Sequence, residues 1–308
     1  MNAVLHDDYY RPVQTEAALI CNILNKKKTS DIVRDVRTAF PMPHWKHLKR
    51  IKASKDGTLS ALICPLNDSI ANDDSFIHTH LESLAPFLSS PSVAQVPKEN
   101  PLSRQQYEAG NRMWPISFHE DKRITRLMSN DFFSSEELVN HTQNMQLALE
   151  AGKQAKLKGE MPIGCVIVDP NDPNCKVIGH DLRSRHPLWH AAMVAVDLVA
   201  RQQGGGVYQY NEKDFFVSKC EVLSEKDKTG PYLCTGYDVY LTQEPCSMCA
   251  MALVHSRTNR VFWGSPSTQG ALGSRYKIHV ERSLNHHYEV YSGLLAHQCL
   301  ALFDKENG

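Results

Sequence analysis

The sequence predicts an α/β layered domain, with helices covering a central sheet, preceded by a smaller α+β domain. Three observations predict it. From residue 131 onward, buried-strand runs alternate with helical stretches, the pattern of a sheet with helical cover. Ahead of residue 100 the strand and helix signals are short and mixed. Between them Pro91, Pro97, Pro101 and Pro115 fall among polar residues and Gly110, the composition of a linker. The expected division is therefore 1–100, a linker over 101–130, and 131–308.

In the N-terminal part, Thr15 to Leu24 is mildly apolar, Thr58 to Cys64 reads as a strand stopped by Pro65, and Ser75 to Ala85 as a helix. The C-terminal part is clearer. Ser134-Ser135-Glu136-Glu137 is a helix start, with a hydroxyl to cap free amides and acids at the positive end. Leu138, Met145, Ala148, Leu149 and Ala155 mark one face of that helix, ending near Gly159. Ile163 to Val168 is a buried strand, and Lys176 to Gly179 pairs with it across the Asp169-Pro170 turn. A helix is expected from about His190 to Gln203, then a polar, Gly-rich insertion from Gly204 to Gly230. Tyr237 to Thr242 is a strand, Cys246 to Ser256 a helix, and Arg260 to Gly264 another strand.

Composition sets limits on function. At 308 residues, with 42% hydrophobic and 22% charged residues, the chain is globular in type rather than fibrous or disordered. Its net charge is zero, so a polyanion must be held by a local patch. Nine cysteines without framework spacing argue against a secreted disulfide scaffold and for a reducing compartment. The acidic, aromatic start, Met1 to Pro12, lacks the order of a signal peptide, and no apolar run approaches the roughly 20 residues that cross a bilayer. The expectation is a soluble intracellular protein.

Chemistry concentrates in Pro245-Cys246-Ser247-Met248-Cys249. Two cysteines three apart at a helix start share one face, and the positive helix end favours the thiolates that bind metal. Alone the motif is equally a redox pair or two buried thiols, and a structural zinc finger needs a second such pair, which is missing. His190 gives it specificity, because it begins the other helix in the corresponding position. His186, His286 and His287 are alternatives without that placement. One histidine and two thiolates leave a fourth zinc position open, and cytidine and adenosine deaminases carry a His-x-Glu…Pro-Cys-x-x-Cys signature of this type. Zinc on His190, Cys246 and Cys249 is the expected cofactor, one ion per chain.

Where that signature has glutamate, this chain has Ala192. Hydrolytic deamination must move protons onto the ring and the leaving ammonia, and a methyl group cannot. General acid–base catalysis contributes about 10²–10⁴-fold, so no catalytic residue is expected in this pocket. Glu244 and Asp197 are poor substitutes: Asp197 lies more than a turn away, and Glu244 matches an acid that active deaminases carry in addition.

Several stretches carry a resemblance: Arg185 to Met193, Tyr232 to Asp238, Glu244 to Arg257, Gly270 to Gly273 and Leu284 to His287. Over roughly Ser134 to Leu295 the chain resembles the non-catalytic subunits of the eukaryotic heterodimeric tRNA adenosine deaminases, in the cytidine and deoxycytidylate deaminase superfamily. The resemblance implies a cytidine-deaminase-like three-layer domain with a mixed sheet between helices, retained zinc, a catalytic partner subunit, and adenosine-to-inosine conversion at the tRNA wobble position. Localisation in nucleus and cytoplasm is expected. Asp181-Leu182-Arg183-Ser184 stands where active relatives have a nucleoside-contacting Asn-Arg-Ser/Thr stretch. The last helix, Leu294 to Asp304, is expected to plug the pocket with Asp304 or the terminal carboxylate, water being the other fourth ligand.

For tRNA the expected face lies between Lys26 and Lys55. Ten basic residues occur there, Lys26, Lys27, Lys28, Arg34, Arg37, Lys46, Lys49, Arg50, Lys52 and Lys55, opposed only by Asp31 and Asp35. Trp45 among them is a candidate for stacking on a base; a solvated basic face around a core tryptophan is the bland reading. Arg275 and Lys277 form a second, smaller candidate. Two other functions compete: a self-sufficient zinc-dependent nucleoside or base deaminase, which Ala192 opposes, and a purely structural zinc protein, which the open site opposes.

Overall fold

The computed structural model describes residues 1–66, 74–209, 215–217 and 232–304. The chain forms two compact units, Asp7–Thr125 and a larger one joining Met1–His6 to Arg126–Gly308. The first strand, β1 (Asn2–Ala3), already belongs to the larger unit, where it pairs with the last strand of the chain. That pairing is absent from the expected division at residue 131. A two-residue strand has no periodicity to read.

The smaller unit is an antiparallel sheet with helices. Its strands are β2 (Thr15–Asn22), β3 (Ile51–Ala53), β4 (Leu59–Pro65) and β5 (Ser92–Pro97), in the order β3-β4-β2-β5. Helix α1 (Thr29–Ala39) buries Ile32 and Val36 in a cluster with Leu19, Cys21 and Ile63, and α2 (Asp74–His80) adds Phe76 and Ile77. The stretch read as a linker is folded. Helix α3 (Arg104–Met113) starts on a capping box, in which the Ser103 hydroxyl accepts from the Gln106 amide and the Gln106 side chain returns to Ser103 N–H. Trp114, which follows it, is 1% exposed and packs in a core with Trp45 and Leu62. Prolines there bound short elements rather than a tether. Helix α4 (Lys122–Met128) then spans the boundary.

The larger unit holds a seven-stranded mixed sheet. Helix α5 (Ser135–Leu157) begins on a Ser134–Glu137 capping box. It leads into β6 (Gly164–Asp169) and β7 (Asp172–His180), an antiparallel hairpin. Helix α6 (Ala191–Gln202), β8 (Phe216–Val217), β9 (Asp238–Gln243), α7 (Ser247–His255), β10 (Arg260–Ser265), β11 (Glu289–Ser292) and α8 (Ala296–Ala301) follow. The order is β1-β11-β10-β9-β6-β7-β8, with β9, β10 and β11 mutually parallel. Of the expected insertion, Phe216–Val217 pairs with β7, while 210–214 and 218–231 lie outside the described residues.

Alternation along the strands assigns the two faces. Cys165, Ile167, Val239, Leu241, Val261 and Trp263 share one cluster with Ala192, Ala195 and Leu198 of α6 and Cys249 and Leu253 of α7. Tyr240 and Phe262 point the other way, toward α5, where His141 Nδ1 lies 2.7 Å from the Tyr240 hydroxyl and Phe133 packs near Phe262. A Cβ on Gly264 would overlap Cys299, so α8 lies on the α5 side. Helices therefore cover both faces, the expected three layers. Among the described residues no helix is long and apolar enough to cross a membrane. Among the described residues seven cysteines are free thiols, and Cys175 is disulfide-bonded.

Candidate metal centre

Two helix starts meet at one point. His190 and Cys246 are the N-cap residues of α6 and α7, in extended conformation, and neither side chain makes the usual capping hydrogen bond. Both turn toward Cys249. The donor atoms of His190, Cys246 and Cys249 lie within 4.8 Å of one another, and no other such His/Cys/Asp/Glu group occurs among the described residues. A tetrahedral zinc at the usual bond lengths places sulfur and nitrogen about 3.6 Å apart. Cys246 Sγ and His190 Nδ1 stand 3.6 Å apart.

Electrostatics suit a cation. The Cys249 thiol donates to the Cys246 sulfur, with His190 assisting, and this holds the Cys246 thiol down at about 3. The same bond, with burial, drives the Cys249 thiol up. Arg183 also feels the two sulfurs. Its partial burial opposes its charge, but the Asp181 hydrogen bond and charge outweigh burial and raise its pKa.

A family model described as the cytidine and deoxycytidylate deaminase zinc-binding region matches residues 138–265. A second, the tRNA-specific adenosine deaminase TAD3 N-terminal domain, matches residues 17–114. The Danio rerio protein named "Probable inactive tRNA-specific adenosine deaminase-like protein 3" is 38% identical over 96% of this chain and 92% of its own length. The chain belongs to that family. The Homo sapiens protein of the same name is 36% identical over 96% of this chain and 90% of its own length. The tRNA-specific adenosine deaminase subunit tad3 of Schizosaccharomyces pombe is 30% identical over 92% and 85%.

The position at which the deaminase signature carries glutamate is buried here. Ala192 is 2% exposed and belongs to the core cluster of α6 and α7. Glu244 does not replace a lost acid, because its carboxylate is consumed as an anchor. It accepts the backbone amides of Ser267, Leu272 and Ser274 and the Ser274 hydroxyl. A Cβ on Gly270 would overlap that carboxylate, so glycine is required there. The anchored loop leans on the metal centre, for Cys246 bridges to Gly270 and Ala271 N–H donates to the Pro245 carbonyl. Asp197 is likewise occupied by the Val207 and Tyr208 amides and Arg201.

Asp181 is the residue that sequence reasoning undervalued. Fully buried, it accepts from Arg183 Nε, from the Arg183 amide and from the Ala191 amide at the head of α6. It thus takes over the capping that His190 does not perform. The acid at this place was the available signal.

The last helix does not plug the site. Asp304 is absent from the donor group, α8 packs on the α5 side of the sheet, and the Asp304 carbonyl accepts from Lys156 of α5 at 2.7 Å. The terminal carboxylate lies outside the described residues. His186 ring-packs with Trp189, His286 Nε2 lies 2.7 Å from the Thr258 carbonyl, and His287 Nδ1 3.1 Å from that of His279, so none joins the donors.

The basic stretch separates into two kinds of residue. Lys26, Lys27, Lys28, Lys46, Lys49 and Lys55 are exposed. Arg50 is not: it is 9% exposed and donates to the carbonyls of Leu62, Ile63 and Phe40. Lys52 is half-buried, its ammonium on the Met113 carbonyl at 2.7 Å and above the Trp114 ring. Trp45, 4% exposed, is core and cannot stack on a base. Arg34 and Lys28 are partly neutralised by Asp31 and Asp35. Of the second candidate, Lys277 donates to the Leu5 carbonyl and Arg275 to Gln269.

Proposed function

We propose that this chain is the zinc-holding, non-catalytic subunit of a tRNA adenosine deaminase, supporting adenosine-to-inosine conversion at the wobble position by a glutamate-bearing partner subunit. One observation carries the reading: an intact His/Cys/Cys donor group stands beside a buried alanine where the proton-moving acid belongs. His190, Cys246 and Cys249 hold one zinc ion, which supplies a bond between two helix starts and the folding free energy that comes with it. Asp181 and Glu244 orient those starts through backbone amides, and among the described residues no carboxylate joins the donor group. The pairing with a partner is supported by relatives that bear the name of a subunit.

The exposed lysines of the Asp7–Thr125 unit are the tRNA-facing groups in this reading. Localisation in nucleus and cytoplasm rests on the resemblance alone. The test is inosine formation on a tRNA with adenosine at the wobble position, by the chain alone, the partner alone and both together. Turnover only in the mixture is the expected result, with about one zinc per chain by elemental analysis. Turnover by the chain alone would overturn it.

A further inference from the structure

The larger unit has an open cleft of about 580 Å³ that the metal centre does not use. That volume lies in the range of about 300–1,000 Å³ typical of ligand sites. Three loops build it. The C-terminus of α7 brings His255 and Arg257, the turn before β9 brings Tyr232 and Thr235, and the segment before β11 brings Asn285 and His286. Backbone bonds fix these loops to one another: Cys234 N–H donates to Ser256, Gly236 N–H to Arg257, and His286 Nε2 lies 2.7 Å from the Thr258 carbonyl. Arg257 holds φ at +60°, a conformation sparse for residues other than glycine, as the chain leaves the helix.

The described lining residues combine an aromatic ring with hydrogen-bond donors. Tyr232 is 65% exposed, a large aromatic ring left in solvent. Arg257 is exposed and presents a planar fork suited to phosphate. Two imidazoles and the Asn285 amide add donors and an acceptor, and no carboxylate stands among the described lining residues. An aromatic ring beside a guanidinium and an amide is the combination that holds a splayed base and its phosphate in single-stranded RNA.

We propose that this cleft binds a phosphate and an unstacked base of single-stranded RNA, giving the deaminase-like unit its own RNA contact. The proposal rests on the tRNA reading above and names a site for it. An acidic protein segment is the competing occupant, and the test separates the two.

The experiment uses the full chain with its catalytic partner and measures tRNA affinity across a salt series for Arg257→Gln, Arg257→Lys and Tyr232→Ala. Arg257→Gln is expected to weaken binding roughly three- to ten-fold and to reduce the slope of log affinity against log salt by about 0.7 to 1. Arg257→Lys, which keeps the charge, retains the slope and controls for the backbone. Tyr232→Ala is expected to cost roughly five-fold or more at an unchanged slope, because stacking releases no counterion. Wild-type affinity and slope in both Arg257→Gln and Tyr232→Ala would overturn the cleft while leaving the tRNA reading intact. Dissociation of the partner by these variants, with RNA binding preserved, would also overturn it. Failure of the wild-type complex to bind tRNA at all sinks both readings.

Discussion

At position 192 a buried alanine stands where the deaminase signature carries glutamate, and restoring the acid is not expected to restore the site. Ala192 is packed in the core, and Asp181, the buried acid before the helix, has given its carboxylate to Arg183 and to the Ala191 amide at the head of α6. Ala192→Glu therefore adds an acid where four heavy atoms of new volume cost about 1–3 kcal/mol in packing and no nucleoside contact is expected. Inosine formation by the purified variant is expected to stay below about one-hundredth of the rate of the two subunits together, given the roughly 10²–10⁴-fold worth of positioned acid–base catalysis. A rate within ten-fold of the mixture's would show that the shuttle is the sole deficit. Arg50 shows the converse, a charge that looks functional in sequence and is structural in place.

At the scale of elements, the metal centre is an arrangement of two helix starts and one loop. The helices present His190 and Cys246 at their first turns, and Glu244 holds the loop 267–274 against the second of them. Converting Glu244 to glutamine replaces an acceptor by a donor opposite amides that point at it. Each amide left buried without a partner costs about 1–3 kcal/mol, so Glu244→Gln is expected to lower the melting temperature by several degrees and to speed zinc loss to a chelator. A variant that keeps the wild-type melting temperature and zinc release rate would remove this acid from the support of the site.

For the whole molecule, charge placement would govern RNA affinity under the proposed function, and it bears on acid stability. Reversing Lys27, Lys46 and Lys49 together, all exposed, is expected to weaken tRNA binding and flatten its salt dependence without loss of folding. Arg50→Glu should instead unfold the smaller unit, since three backbone carbonyls lose their donor. Circular dichroism beside the binding assay distinguishes the two, and unchanged affinity in the triple variant would exclude this face. Acid sensitivity is expected from two buried histidines. Burial, then Arg260, hold His141 at about 4, and burial holds His279 at about 4, against an ordinary value of 6.5. A depressed histidine favours the folded state fully above 6.5, and that contribution is lost as pH falls toward 4. The melting temperature is expected to fall between pH 6.5 and 4.5, and His141→Gln to flatten that decline. Parallel curves for variant and wild type would assign the acid sensitivity elsewhere.

The sequence by itself determined the layered fold and both helix starts that bring His190, Cys246 and Cys249 together, and it carries the alanine at the acid's place on which the proposed function rests. Those are local facts: capping residues, strand-length apolar runs and a three-residue cysteine spacing follow from neighbours in the chain. Only the tertiary structure decided which charges are free. Arg50 and Lys52 belong to the same basic run as Lys46 and Lys49, yet they turn inward to carbonyls contributed by distant strands and helices. Tertiary packing also placed β1 in the far unit, made a folded helix of the proline-marked stretch, and set α8 on the side of the sheet away from the ligands. Each depends on contacts between residues remote in sequence, and periodicity within a single segment carries no record of them.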